Sequence, residues 1–239
     1  MNKRLLVFVT TFFLMSTTFA QFSVGPRATF NMADQTGSLA SWDNTKSQWI
    51  FCFNPGIAAN YTFSGLFSLQ MEINYGNTGS KTEVTFTDDS GYTVSEGSIK
   101  MLYRSLQVPL LGRFTFGDKF RYFAELGPYF DLILDGKYKL KINDDVHKGK
   151  IKIQDDPGNG DDDVMYIDPD TRRKTDVGMF VGAGALKKMG KGTWVFSLRY
   201  GMGFLDTYKW DGKDKPDGYK PFKNRMVSIS LAYMFRLGK

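Results

Sequence analysis

Eight stretches of alternating apolar and polar residues, in a chain with only one long apolar run, constrain this fold more than any other feature. A period of two places successive side chains on opposite faces of a β-strand. The stretches lie near 22–31, 51–63, 67–75, 105–116, 121–132, 177–185, 194–204 and 227–235. In the first, Phe22, Val24, Pro26, Ala28 and Phe30 share one face, with Ser23, Gly25, Arg27, Thr29 and Asn31 on the other. The seventh sets Trp194, Phe196, Leu198, Tyr200, Met202 and Phe204 against Val195, Ser197, Arg199, Gly201 and Gly203. Past Gln21 no run reaches the ~18 apolar residues of a spanning helix, whereas a barrel strand needs only ~9–11 residues with one apolar face.

The one long apolar run is at the start. Lys3 and Arg4 precede Leu5 to Met15, and Thr18-Phe19-Ala20 puts small residues before Gln21. This is the layout of a secretory signal peptide over residues 1–20, leaving 21–239 as a single domain. The apolar run is too short for a membrane anchor.

Alternation does not say which face meets water, because a soluble lipocalin-like barrel alternates with its apolar face inward. Three features favour lipid outside. Aromatics bound the apolar face on several strands: Phe51, Tyr61, Phe63, Phe67, Tyr75, Tyr122, Trp194, Tyr233 and Phe235. The opposite face carries both signs of charge, with Arg27, Arg113, Arg121 and Arg199 against Glu72, Glu125 and Asp131. Glycines crowd that same face, as suits the narrow filled interior of eight strands. Connections alternate in length: Ser64-Gly65, Gly117-Asp118-Lys119 and Met189-Gly190-Lys191 are tight, and 32–48, 76–101, 136–174 and 205–224 are long. The expectation is an all-β, up-and-down, eight-stranded antiparallel transmembrane β-barrel with short periplasmic turns and long extracellular loops. Pro26, Pro55, Pro109 and Pro128 each remove a ladder donor and predict bulges or strand ends.

Several motifs sharpen this. Ser105-Leu106-Gln107-Val108-Pro109-Leu110-Leu111, Gly127-Pro128-Tyr129, Tyr200-Gly201-Met202-Gly203 and the terminal Asn224 to Phe235 run resemble the PorT-like outer-membrane β-barrel family of Bacteroidota. The resemblance covers essentially the whole chain after the signal. It implies an outer-membrane location, and the family's namesake is associated with protein secretion.

Function classes narrow in turn. Beyond the signal, 29 Lys and Arg stand against 25 Asp and Glu, too mild and unclustered a balance for nucleic acid. Cys52 is the lone cysteine, so no intramolecular disulfide forms, and its place on the lumen-facing set predicts an inert thiol. His147 is the lone histidine and sits in a distal loop, away from any rigid strand end that could hold a catalytic set. No zinc spacing or phosphate loop is present, and no cofactor is expected. The chain is therefore expected to be non-enzymatic: a scaffold or accessory barrel of the cell envelope, linked to secretion, with a small-solute pore or a surface protein for an anionic ligand as the alternative. Expected partners are outer-membrane lipid, the barrel-insertion machinery and other envelope or secretion proteins.

The long loops hold the remaining chemistry. Lys137, Lys139 and Lys141 alternate up to Asn143-Asp144-Asp145, and Lys148, Lys150 and Lys152 alternate back, which predicts a hairpin with six lysines on one face. That face reads either as a solvated surface or as an anion-binding one. Asp155, Asp156, Asp161, Asp162, Asp163, Asp168 and Asp170 surround a Gly-rich turn without EF-hand spacing, so a plain acidic loop is expected there over a calcium site. Residues 82–96 predict a second extracellular hairpin.

Overall fold

The computed structural model describes residues 21–38, 45–87, 93–118, 120–155, 163–210, 215 and 218–237. The signal segment and residues 156–162 of the acidic loop, Asp156, Asp161 and Asp162 included, lie outside the described residues.

Among the described residues eleven strands follow in order: β1 (Gln21–Ser38), β2 (Thr45–Gln48), β3 (Ile50–Thr62), β4 (Phe67–Thr87), β5 (Thr93–Phe116), β6 (Arg121–Ile142), β7 (Asp145–Ile153), β8 (Val164–Ile167), β9 (Thr175–Met189), β10 (Gly192–Gly203) and β11 (Lys220–Leu237). Eight of them close a ring, β1–β3–β4–β5–β6–β9–β10–β11, each antiparallel to its neighbours. Closure is made by β1 on β11, running from Phe22 opposite Leu237 to Ser38 opposite Lys220. The ring leaves no open edge at membrane depth, which is the condition for crossing lipid with strands.

Every face assigned from the alternation is observed. Phe30, Phe51, Ile57, Met71, Leu110, Phe114, Leu126, Val181, Phe196, Leu198 and Leu231 are exposed on the outside, Phe51 to 78 %. So large an apolar outer surface would be untenable in water and is a lipid-facing belt. At the turn end, Trp194 and Tyr233 rings lie 4.9 Å apart, Tyr233 and Phe235 4.8 Å, and Tyr61 and Phe63 4.7 Å, forming one aromatic girdle.

The strands are longer than the alternation indicated. β4, β5 and β6 hold 21, 24 and 22 residues, against the ~9–11 of a membrane crossing. Segments expected as long connections thus continue the wall upward as sheet. The 82–96 hairpin is part of this extension, with Thr82 opposite Ile99 and Phe86 opposite Ser95. β6 pairs with β9 up to Leu132 and, from Gly136, with β7. β8 then adds to β7 in parallel.

The prolines correct a smaller expectation. No strand ends at them and no register shift occurs beside them. The ladders lapse locally instead: β1–β11 between Val24 and Arg27, and β5–β6 between Pro109 and Gly112, which also spans Pro128. The β3–β4 ladder runs from Gly56, next to Pro55. A missing N–H costs a rung without costing the strand.

Candidate functional site

Reading up β6, the inward residues are Phe123, Glu125, Tyr129, Asp131 and Ile133, and each belongs to a distinct layer of the lumen. Phe123 packs with Ala58, Val195, Ala232 and Met234 near the periplasmic turns. Glu125 lies in a charged layer. Tyr129 packs with Leu111, Phe180 and Met226. Ile133 joins Tyr103, Ile151 and Ile153 at the extracellular end. Glycines make room for the large side chains: a Cβ at Gly184 would come within 2.3 Å of the Phe123 ring, and one at Gly178 within 2.5 Å of Tyr129.

The charged layer is a chain of alternating sign, Arg27–Glu72–Arg199–Glu125–Arg113. Arg199 Nη1 and Nη2 donate to Glu72 Oε2 and Oε1 at 2.9 and 2.7 Å, while its Nε donates to Glu125. Arg113 Nη2 donates to Glu125 Oε2 at 2.8 Å, and Arg27 Nη1 lies 3.1 Å from Glu72 Oε1. β10, which carries Arg199, and β4, which carries Glu72, are four places apart in the eight-strand ring. The bidentate fork therefore reaches from one wall to the opposite one. Arg27 continues to Ser197 at 3.1 Å, Thr29 at 3.2 Å and Ser230; Gln70 and Asn74 donate to Glu72. The Arg113 guanidinium lies over the Phe123 ring at 3.9 Å, tying the charged layer to the apolar one below. All five charged residues are at most 4 % exposed.

Two residues expected in this network are elsewhere. Arg121 is the first residue of β6 and sits at the periplasmic rim, donating to the Gly65 carbonyl of the β3–β4 turn. Its alternation parity is right, but it lies below the filled lumen. Asp131 does point inward, yet it faces Asp176 across the β6–β9 ladder in a higher layer with no arginine partner. There Asp176 accepts from Asn224 at 2.8 Å and Tyr129 at 3.3 Å. A further ion pair had no sequence signal: Asp34 and Arg225 are register partners on β1 and β11, joined at 2.6 Å, with Ser47 donating to the same carboxylate.

The extracellular mouth is covered by chain. Ile151 and Ile153 turn the inner face of β7 onto Tyr103 and Ile133. Arg172 stacks over Tyr103 at 4.4 Å and bridges to Tyr208, while Thr207 donates to the Phe222 carbonyl. In the same loop, Tyr219 donates to both Asp206 oxygens at 2.8 and 2.7 Å; burial, and then this bonding to the carboxylate, push its phenol up to about 12.

The lysine hairpin forms as expected. Lys137 faces Lys150 and Lys139 faces Lys148 across β6 and β7, and the chain reverses at Asn143, where φ is +49°. All six lysines are exposed on the outer side of the wall. His147 is exposed on the same hairpin opposite Leu140, and Cys52 is buried as a free thiol. Among the described residues no group of three or more His, Cys, Asp and Glu side chains is placed to hold a metal ion.

A family model described as an outer membrane protein beta-barrel domain matches residues 19–209. Among solved structures, the chain is similar to the outer membrane protein OprG of Pseudomonas aeruginosa, with 10% identity and a TM-score of 0.50 over 92% of this chain and 97% of that one. It is also similar to Ail, the attachment invasion locus protein of Yersinia pestis, with 11% identity and a TM-score of 0.36 over 89% and 98%. No curated protein sequence matches. The family match carries the barrel and its membrane, and the likeness to OprG carries the fold alone.

Proposed function

We propose a function from one premise: the chain belongs to the outer membrane protein beta-barrel domain family and sits in the outer membrane with its apolar belt against lipid. Within that family we read it as a non-enzymatic, closed barrel of the PorT-like kind, a scaffold or accessory component of the cell envelope with secretion as its setting. Residues 1–20 serve as its export signal, and the barrel-insertion machinery receives it.

The observation that carries this reading is the charged layer. A side-chain bridge from β10 to β4, sealed by apolar layers below and above, leaves the lumen for structure and not for passage. A barrel without a path has its surfaces left to act with, among them the sheet that β4 to β7 raise above the membrane. That sheet presents long, exposed polar side chains to whatever stands beside it.

The test is affinity purification of the tagged barrel from crosslinked native outer membranes, followed by mass spectrometry. A stoichiometric envelope or secretion protein, crosslinked through residues 76–101 or 136–174, is the expected result. Recovery of the barrel with lipid alone would overturn the scaffold reading.

A further inference from the structure

The six lysines reach the outer face of the wall through a change of phase within β6. Up to Ile133 the odd-numbered residues of β6 point into the lumen. The β5–β6 register then shifts: Ser105 faces Ile133, but Arg104 faces Asp135. Leu134 is the extra residue, a β-bulge, and bulges re-aim the side chains that follow them. Beyond it Gly136 faces the buried Tyr103, so Asp135, Lys137, Lys139 and Lys141 all point outward. Without the bulge these lysines would point into the apolar cap formed by Tyr103, Ile151 and Ile153.

The basic face is therefore continuous with the lipid-facing belt. Going up the outside of β6, Leu126 and Phe130 lead to Leu134, which is still exposed and apolar, and then to Lys137. At ~3.3 Å per residue and a tilt of ~40°, three residues lift the chain by roughly 8 Å. A head-group layer is roughly 5–8 Å deep on each side of the hydrocarbon. With Leu134 as the top of the apolar belt, Lys137 and its neighbour Lys150 come to the level of lipid phosphates, with Lys139 and Lys148 one step above.

These lysines are also set against one another. Lys139 faces Lys148 on one side and Lys100 on the other, and Lys137 faces Lys150. Like charges directly opposite destabilise a sheet. Among the described side chains, Asp135 and Glu83 on this side are already paired with Arg104 and Lys81. The facing lysines repel one another, and anions lying between the rows relieve that repulsion.

We propose that this face docks the phosphate groups of the outer-leaflet glycolipid that surrounds the barrel. The reading goes beyond the scaffold role and rests only on the membrane location and the hairpin. The flexible lysine stems allow each ammonium to bend toward the membrane surface and share a phosphate with its cross-strand neighbour. The occupant is lipid and not a soluble anion because the face looks sideways over the membrane, directly above the belt.

The experiment uses the full chain in phosphatidylcholine nanodiscs doped with bis-phosphorylated lipid A or with its dephosphorylated form. Glycolipid retained after detergent extraction is counted by native mass spectrometry. The wild-type chain is expected to retain the phosphorylated form and release the other. The variant with Lys137→Gln, Lys139→Gln, Lys148→Gln and Lys150→Gln is expected to retain at least about tenfold less, from the attraction of each lysine to an anionic surface. The same four positions changed to Arg should restore retention. In phosphatidylcholine alone, the Gln variant should be no less thermally stable than wild type. Equal retention of both lipids by the wild-type chain, a comparison that needs no variant, would overturn the proposal, as would undiminished retention by the Gln variant. Neither result bears on the protein-partner test, so the two readings fail independently.

Discussion

Replacing Glu72 with glutamine keeps the side chain's shape and removes one charge from the centre of the lumen. In the native layer three guanidinium groups stand against two carboxylates, a formal +1. Glu72 accepts twice from Arg199, once each from Gln70 and Asn74, and lies against Arg27. The substitution raises the layer to +2 and leaves Arg27 without its carboxylate, while Arg199 keeps only Glu125. Removing one partner of a buried pair costs ~3–5 kcal/mol, because the remaining charge stays desolvated. The exposed pair of Arg104 and Asp135 supplies the contrast: Asp135→Asn should cost ~0–1 kcal/mol. Both variants can be compared by reversible urea unfolding in phospholipid bilayers, followed by tryptophan fluorescence. Adding Arg27→Met to Glu72→Gln returns the layer to +1, so the double variant should cost less than the sum of the two single ones. A Glu72→Gln cost under ~1 kcal/mol, equal to that of Asp135→Asn, would mean that the layer is solvated, and the argument for a sealed lumen would fail.

Other outcomes follow from the same packing. Gly184→Val should lower barrel stability by ~1–3 kcal/mol in the same assay, because even a Cβ there would stand 2.1 Å from the Phe196 carbonyl and 2.3 Å from the Phe123 ring; unchanged stability would show that the lumen has spare room. Cys52, buried beside Ala33 and Ile50, should resist a maleimide in the folded barrel and react fully once unfolded, as read by intact mass. The exported protein should begin at Gln21 by N-terminal mass analysis, and a mature chain that retains Lys3 and Arg4 would contradict the export signal.

How much of this could be read from the chain depended on contrast between neighbouring residues. Where the strands meet lipid on one side and a polar lumen on the other, Phe, Leu and Ile alternate with Arg, Ser and Gly, and all eight faces were legible. Above the membrane that contrast fades. Gly76 to Thr82 alternates nothing apolar with anything, so β4 was expected to stop near Tyr75 when its hydrogen-bonded ladder carries it to Thr87. Parity alone placed Arg121 in the lumen, because parity is blind to height along the barrel. The partner of Glu72 was hidden for another reason. Arg199 is 127 residues away, and only closure of the ring brings β10 opposite β4. The bulge at Leu134 was hidden too, since one extra residue leaves the lysine pattern unchanged while reversing the face on which it appears.

The central claim is that the lumen is closed, and the most direct measurement is the conductance of the purified full-length barrel in a planar bilayer. No steady current is expected from the wild-type chain at moderate voltage, with brief openings at most when Glu72→Gln weakens the bridge. Sustained, ohmic, open currents from the wild-type protein would contradict it and make the barrel a pore.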